Sequence, residues 1–264
     1  MFDPSKKLAA KALSAGYAAD QVIDNLDLTL PGGTITAVIG ANGAGKSSLL
    51  KALARKIQSS SGAVLLDGVS INELSRQDLD RKIGLLGAMP AARSSETVFD
   101  LVARSAMNSQ EISRVSPRLN QEIQTILERT GLANLAKKKL GELSTGSRQV
   151  ALIASALAKN PEVLLLDEPT NSLDYSHQLQ VINLLSSLKR ERGMTIVAVV
   201  HDLNLAARFA DKVVILKDGK IVDQGTAKEV ITPNNLATAF HILARVIEDP
   251  VGKTPLVVPI RQLD

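Results

Sequence analysis

GANGAGKSS, residues 40–48, decides the fold of this chain. Gly40, Gly45, Lys46 and Ser47 satisfy the spacing G-x-x-x-x-G-K-[ST]. Upstream, residues 34–39, TITAVI, form an apolar β-branched run that reads as a buried strand. Downstream, Ser47 to Ile57 reads as a helix. Glycines in such a loop let the backbone wrap closely enough for its N–H groups to face phosphate oxygens. The helix that follows turns its positive end to the same anion. On this reading Gly40, Asn42, Gly43, Gly45, Lys46, Ser47 and Ser48 cradle a nucleotide triphosphate. Lys46 supplies a mobile charge to the β- and γ-phosphates, and the Ser47 hydroxyl is the expected Mg²⁺ ligand.

Working outward, residues 63–66 read as a strand entering a turn at Asp67-Gly68. Residues 163–166, VLLL, form a second buried strand, ending in Asp167-Glu168-Pro169, and residues 195–200, TIVAVV, a third, ending at His201. Residues 213–217 and 220–223 flank Asp218-Gly219 as a hairpin. Helical patterns occupy 118–130, 148–159, 176–192 and 203–210. Strands that are apolar throughout and alternate with helices predict an α/β fold with a mostly parallel sheet covered on both faces. From about Glu96 to Leu143 the pattern is helical and polar, an inserted helical subdomain.

Two carboxylates at the end of a buried strand complete the chemistry begun by the loop. Asp167 is the candidate to hold Mg²⁺, directly or through water, and Glu168 the candidate general base for the attacking water. His201, at a neighbouring strand end, is a candidate contact to phosphate or water.

Bulk properties narrow the setting. Hydrophobic residues make up 45% and aromatics 2%, so the core is aliphatic. Lys+Arg 31 against Asp+Glu 27 gives a net charge of +4, too small a surplus for a nucleic-acid footprint. The densest basic run, Lys137-Lys138-Lys139, reads as solvated. With no cysteine there is no disulfide framework, thiolate zinc site or cysteine nucleophile. Met1–Ser14 lacks the apolar core of a signal peptide, and no apolar run is long enough to span a bilayer. A cytoplasmic location is the expectation.

Taken together, these residues resemble the nucleotide-binding subunit of an ABC transporter, over essentially the whole chain. Tyr17 matches the aromatic that stacks on adenine, and LSTGSRQ, residues 143–149, matches the family signature. VLLLDEP, residues 163–169, matches the second nucleotide motif. Ser172-Leu173-Asp174 matches the loop that touches the opposing subunit, and His201 the switch histidine. The resemblance implies a P-loop ATPase of one nucleotide-binding domain. Its catalytic core would be 1–87 and 162–264, carrying an antiparallel β subdomain, with a helical subdomain over about 88–161. It further implies a head-to-tail homodimer. Each ATP would then lie between one copy's loop and the other copy's Ser144, Gly146 and Asp174. The implied partners are a multi-span permease on the inner face of the cell membrane and, indirectly, a substrate-binding protein. LVARSAM, residues 101–107, and the tail HILARVIEDPVGKTPLVVPI, residues 241–260, resemble the importer branch for iron–siderophore, haem and cobalamin.

Three positions depart from that pattern. Ala88 stands where the family carries a glutamine that reaches Mg²⁺ and water, Thr145 where it carries glycine, and Ser155 where it carries arginine. Alanine cannot make the hydrogen bonds of glutamine, so a slow or weakly coupled ATPase is one expectation beside full activity. Two competing functions share the same head chemistry: a soluble ABC-type ATPase in iron–sulfur assembly, and a DNA-associated ATPase. The latter carries long heptad coiled coils or zinc modules between the nucleotide motifs, and this chain has neither. His177 and His241 show no metal-ligand pattern and read as structural or surface residues.

Overall fold

The computed structural model describes residues 6–17, 20–86, 93–107 and 115–263. Its centre is a sheet of six strands. In chain order these are β3 (Ile35–Ile39), β6 (Ile83–Leu86), β7 (Val163–Leu166), β8 (Thr195–Val199), β9 (Lys212–Lys217) and β10 (Lys220–Gly225). They lie in the spatial order β10-β9-β3-β8-β7-β6. All neighbours pair in parallel except β10, which folds back on β9 as the expected hairpin. Every residue of β3, β7 and β8 is buried. This is why these segments read as unbroken apolar runs rather than alternating ones.

Successive residues of a strand point to opposite faces, and two apolar clusters follow. On one face Leu164, Leu166, Ile196 and Ala198 meet the helical segment through Val102, Ile123, Leu127 and Ile153. On the other, Leu165, Val197 and Val199 meet Leu49, Leu50 and Leu53 of α1 (Lys46–Leu53). A second sheet closes that face: β1 (Lys6–Tyr17), β2 (Asp20–Pro31), β4 (Ser59–Leu66) and β5 (Val69–Ser70), antiparallel in the order β2-β1-β4-β5. Lys7 ties the two sheets together, donating to Asp67 at 2.7 Å and pairing with Glu162 beside β7.

The middle of the chain is helical, as expected. It holds α3 (Val98–Ala106) and α4 (Pro117–Arg129), followed by α5 (Thr145–Leu157). Each starts on a side-chain cap that accepts a backbone N–H of its first turn: Thr97, Ser116 and Ser144. Pro117 stands at the head of α4, where its missing N–H costs no hydrogen bond. Later helices are α6 (Tyr175–Arg192), α7 (Leu203–Phe209), α8 (Ala227–Val230) and α9 (Pro233–Phe240). The Lys137–Lys139 run is exposed, as read.

Several elements differ from expectation. Helix α1 stops at Leu53 rather than Ile57, because Arg55 takes a positive φ of 51°. Strand β4 begins at Ser59, four residues before the apolar run, since its first half pairs with β1 through serines. The sequence did not single out β1, β2 or β6 as strands, nor α2 (Arg76–Lys82). Nor did it single out the terminal hairpin of β11 (Ile242–Glu248) and β12 (Pro255–Gln262). Ala88 lies outside the described residues.

Leu165 is fully buried in the cluster between the sheets. Leu165→Ala is expected to destabilise the chain by about 2–5 kcal/mol, read from the shift of its denaturant midpoint with an unchanged m-value.

Candidate active site

In a parallel sheet the carboxyl ends of the strands open into one crevice, where ligands bind. β8 lies between β3 and β7, so three expected features come out side by side: the glycine loop after β3, Asp167-Glu168 after β7, and His201 after β8.

The loop is held tightly against the sheet. A side chain on Gly40 would overlap the carbonyl oxygen of Leu216 in β9 and crowd the Ala44 Cβ at 3.3 Å. Gly45 precedes α1 with φ 96°, a left-handed conformation that favours glycine. Asn42 and Gly43 face solvent at the tip, while Ser48 is buried beneath. Lys46 is 6% exposed and curls over its own loop, donating to the carbonyls of Gly40 and Ala41 at 2.8 Å each. Burial lowers its pKa, and the nearby Glu168 and Asp167 carboxylates oppose that fall.

The Ser47 hydroxyl donates to Asp167 Oδ1 at 2.9 Å. The two residues are far apart in sequence, yet they supply adjacent hard oxygen donors of the kind a small divalent cation takes beside phosphate.

Glu168 follows immediately, with φ 51°. A left-handed non-glycine residue carries about 1–3 kcal/mol of strain and concentrates at working sites. Here the bend turns the Glu168 carboxylate toward His201, whose Nε2 lies 2.6 Å from Oε1. Asn171 Nδ2 donates to Oε2 at 2.7 Å. The His201 hydrogen bond, helped by Asn171 and Lys46, holds the Glu168 carboxyl below the usual carboxylate range. It is therefore ionised and ready to accept a proton at neutral pH.

Tyr17, at the end of β1, is 44% exposed. Its ring faces the Lys51 ammonium of α1 at 5.6 Å, a cation–π arrangement. Hydrogen bonding to Ser48 pulls its hydroxyl pKa down, so the ring stands at the rim of the phosphate loop.

The signature segment sits elsewhere. Ser144 caps α5, accepting from the Ser147 amide at 3.2 Å; Gly146 is buried and Thr145 exposed. Among the described residues no hydrogen bond joins Ser144, Thr145 or Gly146 to residues 40–48. Asp174 caps α6 and accepts from the His177 amide at 2.9 Å. Ser155, where arginine was expected, is buried and donates to the Leu152 carbonyl. Sequence reasoning missed Asn171, Lys51 and His177. Asn171 stands three residues after Glu168, a spacing across one turn that could have drawn notice.

Strand order, loop and paired carboxylates define a P-loop ATPase of the ABC type. The sequence model of the ABC transporter family matches residues 23–171, and the chain belongs to that family. The ferric enterobactin transport ATP-binding protein of Escherichia coli (strain K12) is 40% identical, covering 98% of this chain and 96% of its own length. The iron(3+)-hydroxamate import ATP-binding protein of Bacillus subtilis (strain 168) is also 40% identical, covering 94% of this chain and 93% of its own length. Among solved structures, a metal-chelate type ABC transporter in an inward-facing conformation superposes with TM-score 0.82 at 27% identity, over 97% of this chain and 98% of that one. An ATP-binding cassette in a dimeric post-hydrolysis state, bound to ADP and Pi, matches with TM-score 0.70 at 26% identity, over 83% of this chain and 98% of that one. The chain is thus an ATP-binding, ATP-hydrolysing subunit of the ABC type.

Asn171→Ala removes one donor from Glu168. Its kcat is expected to fall about three- to tenfold. With the pKa of Glu168 rising toward its ordinary value, the acid limb of the kcat–pH profile should move to higher pH.

Proposed function

We propose that the chain hydrolyses ATP to drive a membrane importer, with an iron–siderophore or a related metal chelate as cargo. The observation that carries the ATPase chemistry is the meeting of Ser47 with Asp167, and of Glu168 with His201, at adjacent strand ends. The cargo reading rests on relatives named for ferric enterobactin, iron(3+)-hydroxamate and petrobactin transport.

Each residue then has a task. Backbone amides of residues 40–48 and the start of α1 bind the phosphates. Lys46 leaves its own carbonyls for the β- and γ-phosphates. Tyr17 offers its face to adenine. Ser47 and Asp167 would hold Mg²⁺, whose chemistry there is to neutralise charge on the phosphates. Glu168 accepts the proton of the attacking water, and His201 and Asn171 fix the direction of its two oxygens.

The site is shared between two copies of the chain. Ser144, Gly146 and the exposed start of α5 form a second anion-binding helix end, set apart from the chain's own loop. A head-to-tail dimer brings it to the other copy's γ-phosphate. In this reading residues 1–87 and 162–264 form the catalytic core, and about 88–161 the helical subdomain that carries the signature.

No described helix is long and apolar enough to cross a membrane, so a permease supplies the path. A groove of about 200 Å³ lies between α1, α2 and β6 on one side and α3 and α5 on the other, with Ala54, Leu79, Leu85 and Ala156 in its walls. It opens beside the strand that leads to position 88, and is the proposed seat of the permease on the inner face of the membrane.

Glu168→Gln is expected to keep Mg·ATP bound, to lose at least about a hundredfold of turnover, and to accumulate as a closed dimer on light scattering. Full hydrolysis by that variant removes Glu168 from its role. Purified from membranes in mild detergent, the wild-type chain should bring down a multi-span protein. A soluble assembly partner or DNA in its place overturns the importer.

A further inference from the structure

His177 has no part in the chemistry above, yet it joins two segments that the shared site needs. It stands in the first turn of α6, three residues after Asp174. Its Nδ1 lies 2.9 Å from both Asp174 carboxylate oxygens, and its backbone amide donates to Oδ1 at 2.9 Å. The Asp174 pKa is lowered by these bonds, first by that amide and then by the ring. An ionised carboxylate only accepts, so Nδ1 carries the proton. Gln178 closes the same turn, donating to the Leu173 carbonyl at 3.2 Å.

The Cγ–Cδ2 side of the ring packs against Gly146 in α5. A side-chain carbon on Gly146 would overlap His177 Cγ and Cδ2 and fall 2.7 Å from Nε2. Only glycine lets the two helices meet this way. Gly146 itself is buried, and the His177 side chain is 31% exposed. One imidazole thus fixes the turn at 172–174 by a charged hydrogen bond and the signature end of α5 by close packing.

We propose that His177 is a positioning residue that joins the start of α5 to the turn before α6, so that the exposed cap at Ser144 and the turn at Asp174 meet the second copy as one rigid surface. The inference rests on the shared-site reading and adds a within-chain connection to it. The Asp174 carboxylate shapes the turn through its bonds to His177 while its side chain stays 66% exposed. His177 touches neither the phosphate loop nor Glu168. Its loss is therefore felt in assembly of the closed dimer, not in the first binding of nucleotide.

The test uses the full chain in the Glu168→Gln background. Dimer dissociation with Mg·ATP is followed by analytical ultracentrifugation. Nucleotide affinity is measured at dilution, where the protein is monomeric. With His177→Ala added, the dimer dissociation constant is expected to rise at least about tenfold, with monomer affinity unchanged within about twofold. Should that variant prove unstable, His177→Asn is substituted; its amide can still donate to Asp174 but has no ring edge for Gly146, and the same weakening is expected. Dimerisation equal to that of Glu168→Gln alone overturns the proposal, as does a parallel loss of monomer affinity. If Glu168→Gln by itself forms no dimer, the shared-site reading falls, and the role of His177 with it.

Discussion

Parallel pairing of β8 between β3 and β7 is the constraint on which the rest depends. In register, Ile35 to Val38 face Ile196 to Val199, and Val163 to Leu166 face Thr195 to Ala198. A shift of one residue in either pairing would turn every apolar side chain to the opposite face and carry Glu168 away from His201. The two buried clusters above and below the sheet hold that register. The catalytic geometry is thus secured by apolar packing, and no polar contact in the crevice has to hold the strands in place.

Around that frame the working groups are each held by a local device. A close approach at Gly40 seats the phosphate loop. A left-handed turn at Glu168 sets its carboxylate against His201. Side-chain caps at Ser144 and Asp174 begin α5 and α6. The Glu168 carboxylate is bound on both oxygens, by His201 and by Asn171. Each oxygen keeps a further lone pair, so both bonds can persist while the carboxylate accepts another hydrogen.

The sequence showed those parts of the fold whose signal is local. Fully buried strands appear as apolar runs, so β3, β7, β8 and β9 were plain, and so were α4, α5, α6 and α7, whereas α9 was not singled out. The sheet of β1, β2 and β4 was obscure beyond residues 63–66, because β1 and the first half of β4 are rich in alanine and serine and β2 interleaves its apolar residues with aspartates and other polar ones; their pairing is a long-range fact. The residues proposed to hold nucleotide were singled out because motif spacing reports them. Asn171 and His177 were not, since their roles come from contacts with Glu168 and Gly146 that no pattern along the chain announces. His177 read as a structural or surface residue, and only the approach of α5 to α6 gives it work.

Lys46 fixes the shape of its own loop. Its ammonium is bonded to the Gly40 and Ala41 carbonyls, so the residues that open the loop are pinned to the one that closes it by the chain's own charge. A loop stitched in this way has its curvature set by the protein itself. A cradle shaped beforehand leaves little ordering entropy to be lost on binding.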